Sequence, residues 1–127
     1  MEEFVGQSLT MRYRASDRDV FYGGGVVNGA RGITLMGDLC ERMMARLYKN
    51  AGKCTKVESI RLYTPIHAGD YLEDICRVIE HKADQVKIQC RLFKVCAIPE
   101  NPQYPSSIDM FEEPVLVTEG TFVYQKR

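Results

Sequence analysis

A chain of 127 residues and 14.5 kDa has the length of one domain, which argues against a two-domain enzyme with its own nucleotide-binding half and predicts a single domain over residues 1–127. Seventeen Lys plus Arg balance seventeen Asp plus Glu, so the excess positive charge from which a nucleic-acid or anionic-membrane binder draws its affinity is lacking. At 45% hydrophobic and 27% charged residues, the composition is that of a folded globular protein and not of a disordered chain.

Nothing in the sequence approaches a bilayer-spanning apolar run, and the opening Met1-Glu2-Glu3-Phe4 lacks the basic and apolar stretches of a secretory signal; a cytoplasmic protein is expected. The five cysteines, Cys40, Cys54, Cys76, Cys90 and Cys96, are odd in number and scattered, with no C-x-x-C pair and only two histidines to assist. They read as reduced, mostly buried thiols, with no metal site.

Residues 8–14 (SLTMRYR) alternate loosely and read as a first strand, followed by a polar, glycine-rich connection over 16–25 whose three successive glycines allow close backbone approach. Asn28 reads as an N-cap, opening a helix over 29–50. Met36, Leu39, Cys40, Met43, Met44 and Leu47 recur at three-and-four spacing along one stripe, and Asn50-Ala51-Gly52 reads as its stop. Packing into a core accounts for such a methionine stripe more economically than a binding groove does.

Beyond the helix the period changes to two, with strands expected over 55–64, 71–80, 85–97 and 115–125. The clearest has Val86, Ile88, Cys90 and Leu92 alternating with more polar neighbours. Turns fall at 64–70 and 82–84, and the stretch 98–113, with Pro99, Pro102 and Pro105, reads as a loop that continues neither flanking strand. Strand, long helix and four further strands imply an α+β domain, a five-stranded antiparallel sheet curling around one helix. One helix covers only part of such a sheet, so a homodimer that continues the sheet across its edge strands is expected.

The candidate chemistry gathers before and on the helix. Asp17, Asp19, Tyr22 and the glycines precede a helix N-terminus whose free amides and partial positive charge suit the developing negative charge on a thioester or carboxyl oxygen. On spacing alone, a tight turn and a cap at Asn28 explain the same residues. Asp38, with Glu41 beside it, lies roughly opposite the apolar stripe; it is a solvated carboxylate in a lone chain, but against a partner its burial would raise its pKa and prepare it for proton transfer. His67 and His81 read as turn or surface histidines, and no G-x-S-x-G, H-E-x-x-H or phosphate-loop pattern occurs.

Two stretches carry a resemblance. Pro65-Ile66-His67-Ala68-Gly69-Asp70-Tyr71-Leu72 is similar to the P-x-x-x-G-D-x-L strand junction of the hot-dog fold, a family of acyl-CoA thioesterases, hydratases and lyases. The second, Ser16, Asp19, Tyr22, Gly24 and Val27-Asn28-Gly29-Ala30-Arg31 followed by Gly37-Asp38, resembles the CoA-thioester ammonia-lyases of anaerobic amino-acid fermentation. These act on β-alanyl-CoA or 3-aminobutyryl-CoA. Length and proline-rich loop are most similar to the 3-aminobutyryl-CoA branch, which yields crotonyl-CoA in lysine fermentation.

The resemblance implies amides around Asn28, Gly29 and Arg31 polarising the thioester carbonyl, Asp38 as the base, Asp19 as a second carboxylate, and Tyr22 positioning the amine. It also implies an acyl-CoA thioester as partner, no cofactor beyond the CoA of the substrate, and a homodimer that can assemble into a hexamer. A thioesterase of the same fold and a non-catalytic acyl-CoA-binding module are the alternatives. A hydratase ranks below them because no His follows Asp17 or Asp19 closely. Arg31, Lys53, Lys56, Arg61 and Lys94 are the cations available to the CoA phosphates.

Overall fold

The structure, a computed structural model, describes residues 3–20 and 22–127; Met1 and Glu2 of the opening tetrapeptide and Phe21 of the glycine-rich connection lie outside the described residues. Strand β1 (Ser8–Arg14) turns Leu9, Met11 and Tyr13 inward and its other side chains to solvent, as its alternation predicts. The connection that follows is built of two short 3-10 turns, Asp17–Asp19 and Gly23–Gly25. Gly24 and Gly25 have φ of 74° and 76°, and a Cβ on either would meet nothing within 4 Å. These glycines thus serve a left-handed backbone rather than the close approach expected of them.

Strand β2 (Val26–Val27) leads directly into helix α1 (Gly29–Tyr48), where the Asn28 side chain accepts from the Ala30 amide at 2.9 Å. The predicted stripe is the buried face: Met36, Leu39, Cys40, Met43 and Met44 are completely buried, with Leu47 packed beside them. The helix stops two residues before the expected end at Asn50. Lys49 turns left-handed at φ 65°, and the Asn50 side chain accepts from the Gly52 amide at 3.0 Å in place of a further helical bond.

Four longer strands follow: β3 (Lys53–Leu62), β5 (Tyr71–Lys82), β6 (Gln85–Ala97) and β7 (Asp109–Gln125), with the short β4 (Ile66–His67) pairing with β2. The main sheet is antiparallel in the order β1-β5-β6-β7-β3. Its concave face lays Leu72, Cys76 and Val78 of β5, Ile88 and Leu92 of β6, and Val117 and Phe122 of β7 against the helix. Strands β1 and β3 form the edges.

Two expectations are corrected. The stretch 98–113 does not stay outside both strands: Asp109 pairs with Ala97 and Met110 with Cys96, so β6 and β7 form one hairpin with a loop over 98–108. The ladder absorbs Pro114 in an irregularity between the pairs Lys94↔Val115 and Cys96↔Met110, where no amide donor is needed. His81 is not a surface residue; it is 2% exposed, stacked on Phe4 at 4.4 Å, with Nε2 2.9 Å from the Ala83 carbonyl. The irregularity of the β5–β6 ladder between Val78 and Glu80 shifts the alternation by one residue and turns it inward.

Candidate active site

Gly32 lets the start of α1 press on the sheet, since a Cβ there would lie 3.1 Å from Leu92 Cδ2 and 3.5 Å from Thr118 Oγ1. Beside this contact opens a cavity of about 310 Å³, walled by Tyr22, Val26, Gly29, Leu62, Ile66 and Thr118 among others. Its walls are largely hydrocarbon, as expected of a site for an acyl chain. At its helical end the Ala30 amide is taken by the Asn28 side chain and the Arg31 amide by the Asn28 carbonyl at 2.9 Å. Among the described residues the Gly29 N–H has no acceptor. That donor stands at the positive end of the helix dipole, on a residue of the cavity wall.

Of the residues singled out in the sequence, Tyr22 (55% exposed) and Gly29 line this cavity, and Asn28 shapes it by capping. Asp19 and Arg31 meet each other instead. Arg31 Nε donates to Asp19 Oδ1 at 3.0 Å, Arg31 Nη2 donates to the Tyr13 hydroxyl at 3.0 Å, and that hydroxyl donates to Asp19 Oδ2 at 2.8 Å. Burial alone would raise the Asp19 carboxyl, but the Ser16 amide, Tyr13 and Arg31 together hold it below the usual range. Asp19 is therefore an ionised carboxylate with both oxygens engaged.

Asp38 stands elsewhere, exposed on α1 and nine residues beyond Gly29, which is about 13 Å along the axis. The α-carbon of a thioester is two bonds from its carbonyl oxygen. One chain therefore does not bring Asp38 to a thioester bound on its own first-turn amides. Glu41 is likewise exposed.

A carboxylate passed over in the sequence lies beneath the helix. Asp74 is 2% exposed, and neither oxygen has a hydrogen-bond partner among the described residues. Burial first, and then the nearby charge of Asp38, push its carboxyl up to about 7. The legible signal was an acid at an inward step of the alternation Leu72, Asp74, Cys76, Val78.

The cations divide in the same way. Lys94 is buried, bonded to Asp70 Oδ2 at 2.8 Å and to the Pro65 carbonyl at 3.0 Å, where it pins the strand junction. Arg31 is held by Asp19, whereas Lys53, Lys56 and Arg61 of β3 are exposed. The cysteines are free; burial pushes Cys76 up to about 12, and Cys40 at 3.5 Å raises the Cys90 thiol, so neither is a ready nucleophile. Among the described residues no group of three or more His, Cys, Asp or Glu is arranged to hold a metal, and no helix is long and apolar enough to cross a membrane.

A long helix laid in a five-stranded antiparallel wrap is the hot-dog fold. The architecture superposes on the β-alanyl-CoA:ammonia lyase of Clostridium propionicum with a TM-score of 0.89, covering 96% of this chain and 86% of that one at 23% identity. It also superposes on a hexameric thioesterase of Yersinia pestis with a TM-score of 0.74, covering 96% and 87% at 15% identity. No family model matches the sequence. A 3-aminobutyryl-CoA ammonia lyase of Acetoanaerobium sticklandii, however, is 30% identical over 118 residues, 91% of this chain and 93% of that protein. The chain belongs to this family of CoA-thioester ammonia lyases.

Proposed function

We propose that the protein removes ammonia from 3-aminobutyryl-CoA to give crotonyl-CoA, reversibly, with the thioester carbonyl held at the start of α1. The observation that carries this reading is the unengaged Gly29 amide at the helical end of an apolar cavity, in a chain of the ammonia-lyase family. The elimination requires removal of an α-proton, stabilisation of an enolate-like oxygen and departure of the nitrogen as a neutral amine. These are acid–base and electrostatic steps that carboxylates and amides can supply without a redox cofactor.

Asp38 is the proposed base, acting on a substrate bound at the helix start of a second copy, since about 13 Å separates it from its own Gly29. The cavity wall supports a two-chain site. Leu62 and Tyr63 line the cavity yet are 61% and 50% exposed, so a second copy lying along β3 would close its open side. Further association of such dimers into a hexamer is part of the same reading. Asp19 supports the first helical turn through Arg31, and Tyr22 at the cavity mouth positions the amine.

The test is an assay of crotonyl-CoA with ammonium, followed by absorbance alongside a thiol reagent. Loss of crotonyl-CoA absorbance without thiol release is expected, and Asp38→Asn should nearly abolish it while the fold stays intact. Release of free CoA would mark a thioesterase, and full turnover by Asp38→Asn would remove that carboxylate from the mechanism.

A further inference from the structure

Thr118 lies in the middle of the sheet, on β7, opposite Leu92 of β6 and Leu62 of β3. It is 1% exposed, and its hydroxyl has no hydrogen-bond partner among the described residues. A hydroxyl buried without a partner is unfavourable, and native proteins almost always provide one. Among the described residues the fully sealed side-chain polar atoms without partners are those of Asp74 and His81; Thr118 Oγ1 is not one of them, and Thr118 lines the cavity at the start of α1. What little of this residue is accessible therefore faces the acyl site.

The surroundings keep this hydroxyl open. A Cβ on Gly32 would stand 3.5 Å from Thr118 Oγ1, so the helix start passes close to this hydroxyl, and the side chains of its strand partners Leu92 and Leu62 and of Ile66 on the cavity wall carry no acceptor. The other threonine of the cavity, Thr64, donates to the Leu116 carbonyl at 3.0 Å and is thereby spent. One free hydroxyl and one free amide, on Thr118 and Gly29, thus open on the same apolar space from the sheet side and the helix side.

We infer that Thr118 is a substrate-contacting residue whose hydroxyl donates to the thioester carbonyl oxygen, completing with the Gly29 amide a two-donor cradle for the enolate. The inference rests on the proposed thioester site. A carbonyl oxygen has two lone pairs, so two donors from opposite walls can be satisfied together, and each gains strength as negative charge develops in a site from which water is excluded. No other side chain of the described cavity wall offers a buried, unengaged donor.

The experiment compares the wild type with Thr118→Val, which keeps the shape and removes the hydroxyl, and Thr118→Ser, which keeps the hydroxyl. Dissociation constants are measured for butyryl-CoA and for S-butyl-CoA, its thioether analogue in which the carbonyl is a methylene. Thr118→Val should weaken butyryl-CoA binding by about 5- to 30-fold and leave S-butyl-CoA within about twofold, while Thr118→Ser binds both as the wild type does. Turnover of crotonyl-CoA with ammonium should fall about 100-fold in Thr118→Val. Its melting temperature should be unchanged or higher, since the hydroxyl it loses had no partner.

Equal weakening of both ligands, or no change in either, overturns the carbonyl contact. If Thr118→Val does not fold, Thr118→Ala decides by the same comparison. Should the wild type release free CoA instead of aminating crotonyl-CoA, the lyase reading fails, but the selective loss of thioester over thioether binding still decides for or against Thr118.

Discussion

Each of the three aspartates of interest occupies a different electrostatic setting, and this sets what each can do. Asp19 is ionised and locked by Arg31 and Tyr13, so its removal should be felt through the first helical turn and not as loss of an acid or base. Asp19→Asn is expected to reduce turnover tenfold or less, about 1.4 kcal/mol in activation free energy, which steady-state kinetics will read. A loss of a thousandfold would make Asp19 a reacting group.

Asp74 yields a pH signature in stability. Its folded carboxyl titrates near 7, above the ordinary value of 3.8, with Asp38 facing it from the helix and Cys76 and Cys90 from β5 and β6. Below pH 4 both folded and unfolded chains hold the proton, and the group leaves stability unchanged. As pH rises from about 4 to 7 the unfolded chain releases that proton while the folded one retains it, so stability falls; above 7 the loss levels off. Asp74→Asn removes the dependence. Urea denaturation should show the variant gaining on the wild type across that window, by roughly 3 kcal/mol, and a gap constant from pH 4 to 8 would refute the burial argument.

At the scale of elements, α1 has a capped start whose role is double. Asn28 satisfies the Ala30 amide, which fixes the first turn and with it the place of Gly29 on the cavity wall. Asn28→Ala should lower unfolding free energy by about 1 kcal/mol and, through loss of that placement, raise KM; equilibrium denaturation and kinetics on the same preparation test both. The stripe, the cap and the strand alternations were legible because they are local: spacing along a helix or strand decides which side chains share a face. The helix end and the start of β7 were less so. Left-handed Lys49 lacks the glycine signature of a stop, and Pro114 is tolerated only because the ladder loses register there.

For the whole molecule, β3 is the unfinished edge. Val57 and Leu62 are paired in register with the buried Phe122 and Thr118, so they lie on the helix-side face, yet they are 51% and 61% exposed because nothing covers them. Apolar side chains in core register at an open sheet edge call for a second copy. Val57→Lys should shift the protein to a smaller species in sedimentation or light scattering and, where the site needs two chains, lower turnover in parallel. An unchanged assembly would remove β3 from the interface.

The amino-acid order alone determined the strand–helix–strand succession, the capped helix with its methionine stripe, and the motifs that resemble the ammonia-lyases, all of which depend on residues within a few positions of one another. Only the tertiary structure decided that Asp19 is spent on Arg31, that Asp74 finds no partner beneath the helix, and that Thr118 lines the cavity. Partners of this kind depend on which segments far apart in sequence meet, β3 and β6 against β7 and β1 against β5, and the local pattern of the chain does not specify that.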